Sequence, residues 1–317
     1  MKNYLISPKK KQFKANMHSH STCSDGRLTP EELKEAYKAR GYSVFAFSDH
    51  LKVQSHSDLA DEDFLPLTSC ELDVAQQGDN SFNLRKAFHF NIISRHPDDF
   101  QQVPCNPRNY SMEYINEMIA DARAKNYFVT INHPNWALFT EDEFMQVEGV
   151  SGFELYNCIT ANFGGALSFT PDIYLDLLRR GKRLYPFGAD DNHSFCLPFD
   201  HPQNDSFGGF TYILADRLEY DEIIAAMDKG DVYCSTGPQI FEAYTKDGKL
   251  YAKTSPAAQI AMLSESGATA AANAPDGEEI GELCCDIDGT GKFILLHVVD
   301  GEGNHAMTRA FYKGEDY

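Results

Sequence analysis

A chain of 317 residues can bury a sizeable core without disulfides, and 42% hydrophobic with 24% charged residues is the profile of a soluble globular protein. The 28 Lys and Arg against 47 Asp and Glu leave a net charge of −19, which argues against a protein that tracks long stretches of nucleic-acid backbone. No apolar run reaches the roughly 18 residues of a membrane span, residues 1–12 are too polar for a leader peptide, and the eight scattered cysteines, with a vicinal Cys284-Cys285 pair, predict reduced thiols in a cytoplasmic protein.

The first predicted element is a strand over Phe13 to His20. Successive side chains of a strand point to opposite faces, so His18 and His20 share a face and can close on one metal ion, with Asp25 following in a short polar loop. No CxxC pair accompanies them, which separates the stretch from a zinc finger. Thr29-Pro30-Glu31-Glu32 predicts a capped helix over Pro30 to Arg40, with Leu33, Ala36 and Tyr37 as its apolar stripe. Ser43 to Phe47 is a continuous apolar run, the mark of a parallel strand covered on both sides, and it ends in Ser48-Asp49-His50.

The pattern repeats along the chain. A strand over Leu65 to Leu72 carries Glu71. The strand Phe88 to Ile93 has His89 near its beginning, which suggests an antiparallel or hairpin arrangement after the polar loop Gln76 to Arg85. Ser111 caps a helix with Met112, Ile115, Met118, Ile119 and Ala122 on one face, and the strand Tyr127 to Ile131 delivers Asn132-His133-Pro134. A strand over Gly152 to Asn157, a helix from Thr170-Pro171 to Gly181, and a strand over Arg183 to Phe187 lead into Asp190-Asp191-Asn192-His193. If the chain is extended there, Asp191 and His193 share a face and Asp190 points the other way.

Seven strands precede His193, and nearly all the polar clusters stand at their C-terminal ends, the face on which β/α barrels assemble active sites. No GxGxxG or GxxxxGK[ST] run is present, which weakens dinucleotide-binding and P-loop readings. Strands over Phe207 to Ala215 and Asp231 to Ser235 flank a helix over Asp221 to Lys229. Beyond Pro238, a hairpin around Asp247-Gly248 and short alternating stretches predict a small all-β, sandwich-like domain over 239–317, after a hydrolase barrel over 1–238.

Together, His18-Ser19-His20 with Asp25, Ser48-Asp49-His50, Glu71, His89, His133-Pro134 and Asp191-Asn192-His193 resemble the ordered motif set of the PHP (polymerase and histidinol phosphatase) domain, over about residues 13–195. The resemblance implies an α/β fold, a distorted seven-stranded β/α barrel, holding two or three divalent metals (zinc, manganese, iron or magnesium). Carried over by residue, it implies one metal on His18, His20 and Asp191, a second on His89 and His133 bridged by Glu71, and a third on Asp25, His50 and His193. Asp191, His193 and Glu71 are thereby the expected catalytic residues.

Three carboxylates against three divalent ions leave a positive site in an acidic protein, suited to a phosphate dianion. The implied activity is hydrolysis of a small phosphorylated substrate, a phosphomonoester or nucleotide, with a metal-bridging hydroxide as nucleophile. Hydrolysis of a carbamate or carboxyl ester, and a metal-stabilised binding module without turnover, are the alternatives. Lys52, Asn135 and Asn157 stand beside ligand positions as candidate phosphate contacts, Arg27 and Arg85 are weaker candidates, and Trp136 reads as a cover for the barrel mouth. Asp49 either accepts a ligand's free N–H or caps a turn. His56, His96, His201, His297 and His305 lack partner motifs, and the loops 55–64, 98–109 and 192–206 are expected to line the pocket. Nothing in the sequence specifies an oligomeric state.

Overall fold

The computed structural model describes residues 2–77, 86–164, 168–267 and 270–317. Most of the loop expected over 76–85, with Arg85, lies outside them. The strands are β1 (Asn3–Ile6), β2 (Lys11–Asn16), β3 (Val44–Phe47), β4 (Leu65–Ala75), β5 (Ala87–Ser94), β6 (Tyr127–Ile131), β7 (Gly152–Asn157), β8 (Tyr185–Ala189), β9 (Phe210–Ala215) and β10 (Val232–Ser235). After them come β11 (Ile240–Lys246), β12 (Lys249–Ala257), β13 (Gln259–Ser264), β14 (Ala270–Asn273), β15 (Ile280–Asp286), β16 (Phe293–Val299), β17 (His305–Thr308) and β18 (Phe311–Tyr312). The helices are α1 (Pro30–Lys38), α2 (Met112–Ala124), α3 (Pro134–Ala137), α4 (Glu141–Met145), α5 (Pro171–Arg179) and α6 (Tyr220–Lys229).

Local chemistry accounts for the first β-α-β unit. Thr29 Oγ1 accepts from Glu32 N at 3.2 Å and the Glu32 carboxylate accepts from Thr29 N at 2.9 Å, a reciprocal cap with Pro30 in the first turn. Leu33 and Tyr37 are buried beneath the helix, where they meet Phe45 and Phe47 of β3, while Val44 and Ala46 face the opposite side with Ala15 and Leu67. Both faces of β3 are therefore covered, and it pairs parallel with β2 and β4.

The larger sheet runs β14-β13-β16-β17-β10-β9-β2-β3-β4-β5-β6-β7-β8, with β18 beside β16, and a second sheet runs β1-β11-β12-β15. Strand β5 is antiparallel to both β4 and β6, which is why His89 reaches the site from the start of its strand. The seven strands β2 to β8 do not form a closed barrel. Among the described residues β8 and β2 share no ladder, and the one backbone bridge between the segments that follow them is Ser19↔Asn192, with His20 N donating to Asn192 O and Asp191 N to His18 O, both at 2.9 Å. Closure is confined to the rim because β9 occupies the other edge of β2, as its antiparallel partner, and β10 extends the sheet from there to β17.

The later strands share cores with the earlier ones. Phe293, Leu295 and Met307 pack in the cluster that holds Leu177 and Phe153, and Leu214 and Tyr233 pack with Ile240 and Leu296. The expected Asp-Gly turn joins β11 to β12, with Asp247 and Gly248 at φ 50° and 74°, the two left-handed residues of a type I′ hairpin. Strand β1, which the sequence pattern did not reveal, pairs with β11. No helix among the described residues is long and apolar enough to cross a membrane.

Candidate metal centre

One rim of the sheet gathers every ligand candidate. His18 and His20 follow β2, His50 follows β3, Glu71 lies within β4 at the level of His50 through their bridge, and His89 opens β5. His133 follows β6, and Asp191 and His193 follow β8. Asp25 arrives on a turn closed by Thr22 N to Leu28 O and Gly26 N to Ser21 O, both 2.9 Å. A side chain at Gly26 would collide with the His20 carbonyl, so this tight turn requires glycine.

The nine side chains assemble in three groups whose ligand atoms lie within 4.8 Å of one another: His18, His20 and Asp191; Glu71, His89 and His133; and His20, Asp25, His50 and His193. Glu71, buried at the centre, turns Oε1 to His18 (3.3 Å), His89 (3.1 Å) and His133 (3.4 Å), and Oε2 to His50 (3.3 Å) and His20 (3.5 Å). Asp25 Oδ1 stands 3.5 Å from His193 Nε2 and its Oδ2 3.7 Å from His50 Nε2.

The donor set fits a divalent ion. Asp191 Oδ1 is buried with no hydrogen bond, although His18 Nε2 and His20 Nε2 each lie 3.1 Å away and 3.2 Å from one another. The Nδ1 atom of His18 faces Glu154 Oε1 at 2.9 Å, an arrangement that keeps the ring proton on Nδ1 and leaves Nε2 a bare lone pair. Two imidazole lone pairs and a carboxylate oxygen converging in a dry pocket repel unless a cation lies among them. Burial, reinforced by His193 and opposed by Asp191, lowers the His20 pKa to about 4, so this ring is neutral as a ligand must be. Burial also works against charge on His18 and His193, but neighbouring carboxylates override it, raising His193 to about 9 through Asp25 and Asp191. Those carboxylates draw protons to lone pairs for which a metal competes. Glu71 and Asp191 are held well below the usual carboxylate range: burial opposes this, and the surrounding histidines, led by His18, prevail.

Three supporting residues have distinct duties. Glu154, which the sequence reading passed over, is buried on β7, and besides His18 it accepts from His133 N at 2.7 Å and Asn157 Nδ2 at 2.9 Å. Its signal was available: a single carboxylate inside the otherwise apolar run Gly152 to Leu155. Asn157 also donates to Asp191 Oδ2 at 3.2 Å, so it orients a ligand and is not turned to the cavity. Asp49 accepts from Ser21 N (2.8 Å), Ser21 Oγ (2.8 Å) and Ser24 Oγ (2.7 Å), which makes it the organiser of the turn carrying Asp25.

The Asp190-Asp191 doublet is not extended as expected. Asp191 has φ 54°, in the left-handed region, and this twist turns its carboxylate inward. Asp190 is fully buried on the far side, where it accepts from Tyr37 OH and Phe207 N at 2.7 Å and from Gly208 N and Gly209 N at 2.9 Å. It anchors the return to β9 and orients no ligand.

A cavity of about 230 Å³ opens over the ligands, lined by Asp25, His50, Glu71, His89, His133, Asp191 and His193 with Trp136, Ile159, Thr160, Phe163 and Phe195. Trp136 stands edge-on to His133 (4.8 Å) and His89 (5.4 Å) at the cavity wall. Lys52 is exposed, and neither it nor Asn135 is among the lining residues. Of the loops expected to line the pocket, 192–206 contributes His193 and Phe195, and 55–64 and 98–109 contribute none of the described lining. Ile159, Thr160 and Phe163 come from the turn after β7 and carry no motif that marks them in sequence.

With the fold and site in view, the chain has an α/β fold similar to that of a PHP-like protein of known structure. Its architecture is similar to that of a two-domain protein containing a predicted PHP-like metal-dependent phosphoesterase from Bacteroides vulgatus, at 13% identity and a TM-score of 0.51, covering 98% of each chain. Looser likenesses are to a structure from Bifidobacterium adolescentis described as a metal-dependent phosphoesterase (15% identity, TM-score 0.40, 60% of this chain and 91% of that one) and to an amidohydrolase from Chromobacterium violaceum with bound sulfate and no metal (15%, 0.38, 56% and 87%). No protein-family model matches the chain, and no curated protein matches it in sequence.

Proposed function

We propose that this protein is a metal-dependent phosphoesterase acting on a small phosphomonoester. The observation that carries the reading is the convergence of nine ligand side chains in three groups at one cavity, with His20 common to two groups and the Glu71 carboxylate within 3.5 Å of His18, His20, His50, His89 and His133. His18, His20 and Asp191 would hold one ion, His89 and His133 with Glu71 a second, and Asp25, His50 and His193 a third. When bound, such ions supply a nucleophile from water at neutral pH and neutralise charge on the attacking and leaving oxygens. In the overall reaction water oxygen bonds to phosphorus, the ester P–O bond breaks, and an alcohol and inorganic phosphate leave.

The chain's own residues prepare that chemistry. Glu154 holds the proton on His18 Nδ1, and the Asp191 carbonyl, 3.0 Å from His193 Nδ1, does the same for His193, so both rings present Nε2 inward. Asn157 fixes the rotation of Asp191. Ile159, Phe163, Phe195 and Trp136 narrow the mouth and limit water. No Lys or Arg is among the described lining residues, so the attraction for a phosphate dianion comes from the metals. We read residues 1–238 as the part that carries the hydrolase chemistry and 239–317 as a β part that shares its sheet and its core.

The test is release of inorganic phosphate from a panel of phosphomonoesters by chelated and metal-reconstituted protein, with carbamates and carboxyl esters as comparison. Metal-dependent phosphate release is the expected result. A protein that takes up two or more equivalents of metal and hydrolyses no phosphomonoester would overturn the proposal.

A further inference from the structure

The rim of the cavity is unusually apolar for an exposed surface. Phe163, on the turn after β7, is 55% exposed, and Phe195, on the loop after β8, is 43% exposed, yet both line the cavity above the ligands. Leu51, Leu138 and Leu197, on the loops following β3, β6 and β8, are 40 to 45% exposed as well. Among the described residues, five of the seven exposed large hydrophobic side chains therefore stand on loops at the rim that carries the ligands. Isolated apolar residues on a surface need no explanation, but a group gathered at a pocket mouth marks a recognition surface.

Phe195 is also held in place. Its ring stacks on His193 at 4.9 Å and 28°, the Arg27 guanidinium lies 5.4 Å from its centroid, and Arg27 Nη1 donates to the Phe195 carbonyl at 2.6 Å. These contacts fix the position of the ring at the mouth, and Arg27 itself is not among the lining residues. A second phosphate or a carboxylate on the substrate would find no Lys or Arg among the described lining residues.

We infer that the site selects a phosphomonoester whose leaving group is flat, apolar and uncharged, with that group lying between Phe163 and Phe195 while the phosphate reaches the ligands. This rests on the phosphoesterase reading and adds the class of its leaving group. Aromatic faces at a pocket mouth favour an aromatic ring in offset or edge-on contact. A small polyol or a bisphosphate gains nothing from them.

The experiment separates the two claims. Trp136 is the only tryptophan and lines the cavity, so its fluorescence reports occupancy without turnover. The metal-reconstituted protein is titrated with 2-phenylethylphosphonate and with ethylphosphonate, and the kcat/KM ratio is measured for the corresponding phosphates, whose alcohol leaving groups are close in intrinsic reactivity. The phenyl compound should bind and react at least about 10-fold better, which is about 1.4 kcal/mol. In Phe163→Ala, and separately in Phe195→Ala, both ratios should fall toward unity. Phe163 is more than half exposed, so its truncation removes little packing, and unchanged thermal unfolding verifies that. Equal binding and equal kcat/KM for the pair, or ratios that survive both substitutions, overturn the inference while leaving the phosphoesterase reading intact. Absence of hydrolysis of either ester tests that reading, and the fluorescence titration still decides the preference.

Discussion

Replacing Glu154 by glutamine removes one charge and almost no volume, and its consequence can be worked from the contacts. In the native protein Oε1 faces His18 Nδ1 at 2.9 Å, while Oε2 accepts from His133 N at 2.7 Å and Asn157 Nδ2 at 2.9 Å. An amide has only one oxygen to share between these two sides. If its NH₂ turns to His18, the ring must accept at Nδ1 and carry its proton on Nε2, the atom 3.1 Å from Asp191 Oδ1, which can then no longer ligate. If the NH₂ turns the other way, two buried N–H groups lose their acceptor, at about 1–3 kcal/mol each.

Either orientation should weaken metal binding by about 10- to 100-fold, which is about 1.4–2.7 kcal/mol. Competitive titration against a chromophoric chelator, with elemental analysis for stoichiometry, measures it. Thermal unfolding of the metal-free variant separates a local effect from a folding defect. Glu154→Gln with native stoichiometry and affinity would refute the reasoning.

Chelation should abolish turnover and lower the melting temperature, and adding back a first-row divalent ion should restore both; less than one equivalent bound after reconstitution counts against the centre. Asp191→Asn should lose metal and nearly all turnover, whereas Asp190→Asn should keep its metal, because Asp190 bonds Tyr37 and the 207–209 backbone instead of a ligand. Burial pushes the Asp190 carboxyl from its ordinary 3.8 up to about 7 even though Gly209, Tyr37 and Phe207 donate to it. A raised carboxyl stabilises the fold fully below 3.8 and loses that contribution as the pH climbs to about 7, so denaturant titrations across this window should find the wild type losing stability relative to Asp190→Asn. A chain ending at Pro238 should not fold, since it strips Phe293, Leu295 and Met307 from a shared core, at about 2–5 kcal/mol for each large side chain against a total of about 5–15 kcal/mol; a soluble truncation with a cooperative transition would contradict this.

Much of the site was legible because its signals are local. The strand expected to reach His20 ends at Asn16, yet the two-residue spacing of the extended stretch after it still brings His18 and His20 to one site, reciprocal capping starts α1 at Pro30, and an all-apolar run marks β3 as covered on both sides. His89 at the wrong end of its strand already pointed to the antiparallel course of β5. Three matters were decided only by the tertiary structure. Closure of the sheet depends on what occupies the edge of β2, and β9, distant in sequence, takes that place. The division of labour between Asp190 and Asp191 depends on one left-handed residue and on four donors from Tyr37 and the 207–209 backbone, none adjacent in the chain. Glu154 gains its role from partners the fold brings to it, His18, 136 positions away, at 2.9 Å and the His133 N–H at 2.7 Å. Periodicity and capping act over a few residues and can be read from them, whereas the partner of a buried charge is chosen by whichever donors the fold brings within reach, and no local pattern encodes that choice.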